Sequence, residues 1–465
     1  MPDLVAAAGP EILPAQNRFA VKELKMRIAV IGTGYVGLVS GACLADFGFQ
    51  VTCIDTNADL VAALNRGESI FYEPGLAEIL QRNIAAQRLA FSTNMAAIIA
   101  EADSILLAVG TPSRDKSGEA DMYYINTAIE QLVPHCKQGV VIAIKSTVLV
   151  GTNAALREKI AVLRPDLDFS LASNPEFLRE GQAVADFTAP DRVVIGVKAG
   201  DNRAHEVLVQ IYAPLASRNI PIIITTPENA EMIKYAANAF LALKLTFINQ
   251  VADLCEKLGG NIDEVAKAIG LDKRIGSAFL QAGPGFGGSC FPKDTLAFAA
   301  TGNKAGAPQK LVENLIEINH ERRQQTAHRI IAAADAAQTK LVAVFGCAFK
   351  ADTDDIRESP AIDVIAALLE KGLTVRLHDP QAMKAAQALF PAVQCCDSPY
   401  EAAKGAGVSV IMTEWDIYRH LDFQQLRQAM EGDVLLDMRN LYSLEEMAVR
   451  GVKYYSVGRP PVAGS

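Results

Sequence analysis

A chain of 465 residues exceeds what one hydrophobic core usually supports, so two or three domains are expected. With 50% apolar and 21% charged residues it has a globular balance, and a net charge of −9 argues against nucleic acid as a partner. The eight cysteines form no C-x-x-C pair, which leaves no metal site or disulfide framework in view and fits a reducing cytoplasm.

Residues 1–25 carry acidic and polar groups and no sustained apolar stretch, so they read as a loose N-terminal extension rather than a signal peptide. Nowhere does an apolar run approach the roughly 18 residues of a membrane span. Ordered sequence begins at Met26, where "IAVIG" has strand character, Leu38–Phe47 helix character, and "QVTCID" strand character again. "SILLAVGTP", "VVIAIKST", "DFSLASNP" and "DRVVIGV" continue the pattern, separated by helical stretches. Such alternation predicts a largely parallel sheet with helices on both faces. From Glu228 about thirty residues run to Gly259 without glycine or proline, with apolar positions at helical spacing, which predicts one long helix. "VAVFG" and "TVRLHD" then echo the opening strand–loop–helix–strand unit without its glycines, and "VSVIMTEW", "DVLLDMR" and "VKYYSVG" extend it. The predicted fold class is therefore α/β: two doubly wound Rossmann-like domains joined by a long central helix. Its expected parts are an extension (1–25), a dinucleotide domain (26–224), a central helical domain (225–338) and a second Rossmann-like domain (339–465).

Gly32-x-Gly34-x-x-Gly37 lies between a strand and a helix, and Asp55 closes the next strand. In that setting the glycines serve a tight turn, approach of a pyrophosphate and close helix–strand packing. Asp55 can accept from a ribose 2′-hydroxyl and would repel a 2′-phosphate, which favours NAD over NADP. The alternative is a Rossmann-like domain for another nucleotide or a methyl donor.

Cys290 stands behind Gly287-Gly288-Ser289 and ahead of Phe-Pro-Lys-Asp. Pro292 fits the first turn of a helix, so the thiol falls at a helix N-terminus near Lys293, where the thiolate form is favoured. Asp294 follows one turn later. The plainer reading is a small buried thiol beside a packing turn. Lys234 and Asn238, four apart on the long helix, share a face; Lys234 alone could equally be an ion-paired or snorkelling lysine. Glu176 and Glu180 follow the end of a strand, where ligands bind in parallel sheets, or else serve as helix-start residues.

"GTGYVGL", "FYEPGL", "KSTV", "SNPEFLREG", "GFGGSCFPKD" and "GCAFKADTDDIRESPA" occur in this order. Together they resemble the UDP-glucose/GDP-mannose dehydrogenase family, the nucleotide-sugar 6-dehydrogenases, over about residues 26 to 460. "GPGFGGSCFPKD" and "YYSVGRP" are more similar to the UDP-glucose branch than to the GDP-mannose branch. The resemblance implies a four-electron oxidation of an alcohol to a carboxylate with NAD, UDP-glucose as substrate, and passage through a Cys290 thiohemiacetal and thioester. The alternatives are another nucleotide-sugar 6-dehydrogenase, acting on GDP-mannose or a UDP-N-acetylhexosamine, and a non-catalytic NAD-sensing binding protein.

It also implies roles for single residues. Lys234 and Asn238 would stabilise oxygen charge, Asp294 and Thr147 would handle protons through water, and Glu176 would assist hydrolysis. Gly32, Gly34, Tyr35, Val36, Gly37, Asp55, Thr111, Thr147, Glu180, Lys293 and Arg357 match cofactor-contacting positions. Glu176, Phe177, Leu178, Glu180, Lys234, Asn238, Phe279, Leu280, Gly287, Phe349, Lys350 and Arg439 match the sugar-nucleotide pocket. Arg274 matches an arginine that reaches a neighbouring subunit's site, so a homodimer or larger homo-oligomer is implied, with the central helical domain as the dimerisation region.

Overall fold

The computed structural model describes residues 11–13, 26–112, 118 and 120–463. The rest of the expected N-terminal extension, together with 113–117, 119 and 464–465, lies outside the described residues. Among the described residues fifteen strands form two sheets. The first holds β1 (Glu11–Leu13), β2 (Arg27–Ile31), β3 (Gln50–Ile54), β4 (Leu89–Ser92), β5 (Ser104–Leu107), β6 (Val140–Ile144), β7 (Phe169–Ser173), β8 (Val193–Val197) and β9 (Ile222–Thr225), in the order β1-β9-β8-β7-β6-β5-β2-β3-β4. The second holds β10 (Leu341–Phe345), β11 (Thr374–His378), β12 (Gln394–Cys395), β13 (Val408–Ile411), β14 (Val434–Asp437) and β15 (Lys453–Ser456), in the order β12-β11-β10-β13-β14-β15.

Both sheets contain the same doubly wound progression, in which strand order reverses beside the first strand: β2 lies between β3 and β5, and β10 between β11 and β13. A crevice outside the carboxyl ends of the strands at such a reversal is where this fold binds ligands. Parallel strands covered on both faces are continuously apolar, and "VVIAI" of β6 is buried at every residue. Two apolar clusters, one containing Val30 and Leu106 and the other Ala29 and Ile105, share alternate residues of β2 and β5, as a sheet with two covered faces requires.

The structure adds strands that apolar runs alone did not announce. Four-residue β4 and β9 and two-residue β12 are too short to show a period, and they exist because a neighbouring strand offers a ladder. β8 runs antiparallel to β7, with Ala172 opposite Val197, and β1 pairs antiparallel with β9, so three residues of the N-terminal extension extend this edge.

The central helix spans Pro227–Leu258. Pro227 suits its first turn, the Thr226 hydroxyl accepts from Asn229 N at 3.3 Å, and Gly259 at φ 76° follows its last residue. The chain divides into two compact units within this helix, after Ala236. Among the described residues no helix is long and apolar enough to cross a membrane.

Candidate active site

In the first unit the three glycines of the fingerprint have three separate jobs. Gly32 turns the chain at φ 95°, and a Cβ there would lie 2.9 Å from the Ala108 carbonyl oxygen. At Gly37 a Cβ would lie 1.9 Å from the Gly32 carbonyl oxygen, so the helix Tyr35–Asp46 can pack this closely only with glycine. Gly34 differs: nothing lies within 4 Å of its Cβ position. Open space at the start of a helix with no acidic residue in its first turn is a seat for a pyrophosphate, so NAD fits. The Tyr35 ring packs on Phe71 with centroids 4.6 Å apart, and Val36 packs on the core.

Asp55 sits at the carboxyl end of β3. Thr33 donates to its Oδ2 from backbone N at 3.0 Å and from the hydroxyl at 2.6 Å, and Asn57 N donates to Oδ1 at 3.1 Å. Burial works to raise this carboxyl, yet the hydrogen bonds hold it below its ordinary value, so it is an anion at neutral pH. It opens on a cavity of about 440 Å³ lined also by Thr56, Thr93, Met95 and Pro134, a suitable size for a nucleoside. Thr111 donates to the Thr147 carbonyl at 2.8 Å, tying together the turns after β5 and β6.

After β7, residues 174–182 form a loop rather than a helix start. Glu176 accepts from Leu178 N at 2.5 Å and from Lys234 Nζ at 3.0 Å, and both charged side chains are buried. The lysine is thus ion-paired, in a setting that would leave an uncompensated charge if either partner were lost. The Phe177 ring lies 5.5 Å from Lys234 Nζ and 3.8 Å from the Arg192 guanidinium, and Leu178 packs on the core. Glu180 is buried in the same loop.

Two carboxylates that sequence reading passed over organise this region. Glu73, within "FYEPGL", is buried and accepts from the Tyr35 hydroxyl, from Gly181 N and Ala183 N at 2.7 Å each, and from Val184 N at 3.3 Å. Glu231 accepts from Gly151 N at 2.7 Å, Asn153 N at 2.9 Å and the Ser173 hydroxyl at 3.1 Å. Three residues ahead of Lys234, it anchors the helix that carries the lysine. Burial raises the Glu231 carboxyl against the pull of these bonds. Neither partner set is visible in sequence, because every donor but Tyr35 lies at least 58 residues away.

In the second unit Cys290 is the N-cap of the helix Phe291–Lys304 and is half-buried, with Ser289 Oγ 3.6 Å from its sulfur. Its carbonyl accepts from Asp294 N at 2.8 Å. The Asp294 carboxylate, 1% exposed, accepts from Asn238 Nδ2 at 2.6 Å and Lys293 Nζ at 2.5 Å. The structure therefore joins Asn238, Lys293 and Asp294 in one network beside the thiol. Burial pushes the thiols of Cys43, Cys53 and Cys136 up to about 12 and raises those of Cys347, Cys395 and Cys396, which makes them poor nucleophiles at neutral pH.

Around this helix start, a Cβ on Gly287 would lie 2.0 Å from the Glu358 carbonyl oxygen, and one on Gly288 would lie 2.7 Å from the Phe349 ring. Gly288 N donates to the Arg357 carbonyl at 3.0 Å. Arg439 donates from Nη2 to the Phe349 carbonyl at 2.7 Å and from Nε to the Met412 carbonyl at 2.8 Å, while Lys350 Nζ lies 5.8 Å from the Phe349 ring. Phe279, at φ 61°, places its ring 5.9 Å from Phe291, and Leu280 is buried. Arg357 pairs with Asp355 at 2.7 Å, and Arg274 is 89% exposed beside Asp272.

The second Rossmann-like unit has its own acidic residue after β11, Asp379, but puts it to another use. Its carboxylate accepts from Cys347 N, Ala348 N, Gln381 N, Ala382 N and Trp415 Nε1 and is fully buried. It closes the rebuilt loop from inside and is not available to a ribose, whereas half-buried Asp55 is.

A fingerprint that accepts NAD, a second Rossmann-like unit of different use, and a thiol at a helix start define the class: an NAD-dependent dehydrogenase with a candidate cysteine nucleophile. Models for the NAD-binding, central and UDP-binding domains of the UDP-glucose/GDP-mannose dehydrogenase family match residues 26–216, 228–321 and 343–444. UDP-glucose 6-dehydrogenase of Rhizobium meliloti is 47% identical over 437 residues, covering 94% of this chain and 100% of that protein. UDP-glucose 6-dehydrogenase of Pseudomonas aeruginosa is 41% identical over 447 residues, covering 94% and 98%. The solved UDP-glucose dehydrogenase of Pyrobaculum islandicum superposes with a TM-score of 0.85 at 36% identity, covering 95% of this chain and 99% of that one. The chain belongs to the UDP-glucose/GDP-mannose dehydrogenase family and is an NAD-dependent nucleotide-sugar dehydrogenase.

Proposed function

We propose that this chain oxidises UDP-glucose at C6 to UDP-glucuronate, working as a homodimer or larger homo-oligomer in the cytoplasm. NAD, when bound, supplies the hydride acceptor for both oxidations. The Gly32–Gly37 turn and Asp55 hold its pyrophosphate and ribose, with Tyr35, Val36, Thr111, Thr147, Glu180, Lys293 and Arg357 as further contacts. Phe177, Leu178, Phe279, Leu280, Gly287, Phe349, Lys350 and Arg439 line the sugar-nucleotide pocket, and Arg274 reaches the pocket of a second copy.

The first oxidation removes a hydride from C6 and the hydroxyl proton, leaving an aldehyde. An aldehyde has no hydroxyl hydrogen to lose, so it must become tetrahedral before it can give a second hydride. The Cys290 thiolate adds to C6, and the oxygen that gains the electron pair is stabilised by Lys234 and Asn238. Loss of the second hydride leaves a thioester. Water then attacks its carbonyl with Glu176 assisting, the C–S bond breaks, and Asp294 with Thr147 carries the protons through ordered water.

The observation that carries this reading is Cys290 as the half-buried N-cap beside the Asn238–Asp294–Lys293 network. A panel of UDP-glucose, GDP-mannose and a UDP-N-acetylhexosamine, followed by NADH absorbance, tests it. UDP-glucose should be preferred, with two NADH formed per sugar, and Cys290→Ala should abolish formation of UDP-glucuronate. One NADH per sugar with a free aldehyde as the wild-type product would sink the mechanism; preference for another sugar would reassign the substrate.

A further inference from the structure

Behind the cysteine loop lies a side chain the mechanism does not use. Asn319, 6% exposed on the helix Lys310–Ala336, pairs with the backbone of Phe286 on both sides. Phe286 N donates to Asn319 Oδ1 at 2.9 Å, and Asn319 Nδ2 donates to the Phe286 carbonyl at 3.1 Å. One side-chain amide thus does for Phe286 what a neighbouring strand would do in a sheet. Gly285, just before it, has φ 113°, and a Cβ there would lie 3.0 Å from Asn319 Oδ1 and 3.1 Å from Arg323 Cγ. Any other residue type would be strained at this φ and would crowd both side chains of that helix.

The rest of the loop is held in the same manner. Gly283 is fixed at both ends, its N–H donating to Asn249 Oδ1 at 2.8 Å and its carbonyl accepting from Arg322 Nε at 3.0 Å. Arg323 bonds Glu358 at 2.9 Å, and the Glu358 carbonyl is the group that packs on Gly287. The Phe286 ring is buried and meets the Phe291 ring edge-on at 6.0 Å, and Phe291 directly follows Cys290. The loop is therefore held between Gly283 and Gly288 and delivers its thiol two residues beyond the last of these restraints.

We infer that Asn319 is a positioning residue for Cys290: its two-point bond to Phe286 sets where the thiol stands relative to the Asn238–Asp294 pair, and so whether the aldehyde is captured. The inference rests on the reading of Cys290 as the nucleophile. The aldehyde partitions between thiolate addition, which commits it to the second oxidation, and release. Displacing a reacting group by about 1 Å costs roughly 100-fold in rate. A thiol moved by that much loses aldehyde to solvent, while the first oxidation, which needs no thiol, continues.

Asn319→Leu removes both bonds at nearly constant volume. It should lower the yield from two NADH per UDP-glucose toward one and release an aldehyde that a hydrazide traps, with KM for UDP-glucose changed by less than about two-fold. Asn319→Asp keeps the acceptor for Phe286 N and lacks the donor to its carbonyl. It should give an intermediate yield, and it supplies the test if the leucine variant does not fold. A purely structural role would lower activity with the yield still at two; that result in a folded variant overturns the inference. Wild-type enzyme and Cys290→Ala run alongside separate the two levels. If wild-type yields one NADH, or if Cys290→Ala still forms UDP-glucuronate at the wild-type rate, the functional reading itself falls and takes this inference with it.

Discussion

Asp55 and Asp379 stand at equivalent places in two doubly wound sheets, and their surroundings give them different uses. Asp379 is taken up by five protein donors from the turns after β10, β11 and β13, while Asp55 faces a cavity. The lowered carboxyl of Asp55 also makes a statement about stability. Its folded value lies below that of the unfolded chain, ordinarily about 3.9, so its contribution is fully present above that value and is lost as pH falls through the folded one. Asp55→Asn should therefore destabilise the protein at neutral pH and progressively less below about pH 4, measured by urea denaturation across a pH series. A cost that stays constant into acid would show that packing, not the charge, is at work. The same substitution should weaken NAD binding at neutral pH, because the ribose loses an anionic acceptor.

At the scale of elements, the turn after β2 separates folding from binding within one motif. Gly37→Ala puts a Cβ 1.9 Å from the Gly32 carbonyl oxygen, so the helix Tyr35–Asp46 must move off the sheet. A loss of about 2 kcal/mol or more in folding free energy is expected by denaturant titration. Gly34→Ala adds its Cβ to open space at φ −65°, a conformation any residue adopts. Its stability should stay within about 0.5 kcal/mol of wild type. Its NAD affinity should fall at least about ten-fold, since the methyl occupies the approach of the pyrophosphate. Equal effects of the two substitutions on folding would contradict this division of labour. The central helix illustrates what an element adds beyond its length. Its run was legible from apolar spacing and the absence of glycine, but the Glu231 anchor and the Lys234–Glu176 pair are tertiary facts.

For the whole molecule, the reading of Arg274 as a residue shared between copies has a direct consequence. Arg274→Ala and Cys290→Ala homo-oligomers should each fail to form UDP-glucuronate, the first for want of a partner's arginine and the second for want of a thiol. Co-refolded or co-expressed in equal amounts, they should recover activity. A mixed dimer holds one intact site of two, and half of randomly formed dimers are mixed, so about one quarter of wild-type activity is expected. Recovery that stays at background in verified mixed dimers would place Arg274 in its own chain's site or in none.

The periodicities of this chain determined its architecture by themselves. Apolar runs of strand length alternating with helical stretches specify parallel sheets, and a glycine-free stretch of about thirty residues specifies a long helix, because both are local consequences of backbone geometry. The fingerprint and its acidic residue were equally legible, since a turn against a pyrophosphate demands particular residues at fixed spacing. The tertiary structure alone decided the rest. It chose which of two equivalent aspartates is open, added short strands where a neighbour offered a ladder, and assigned Glu73, Glu231 and Asn319 to backbone groups far along the chain. A buried polar side chain takes its role from the donors and acceptors it meets, and those are fixed only when the chain has folded around it.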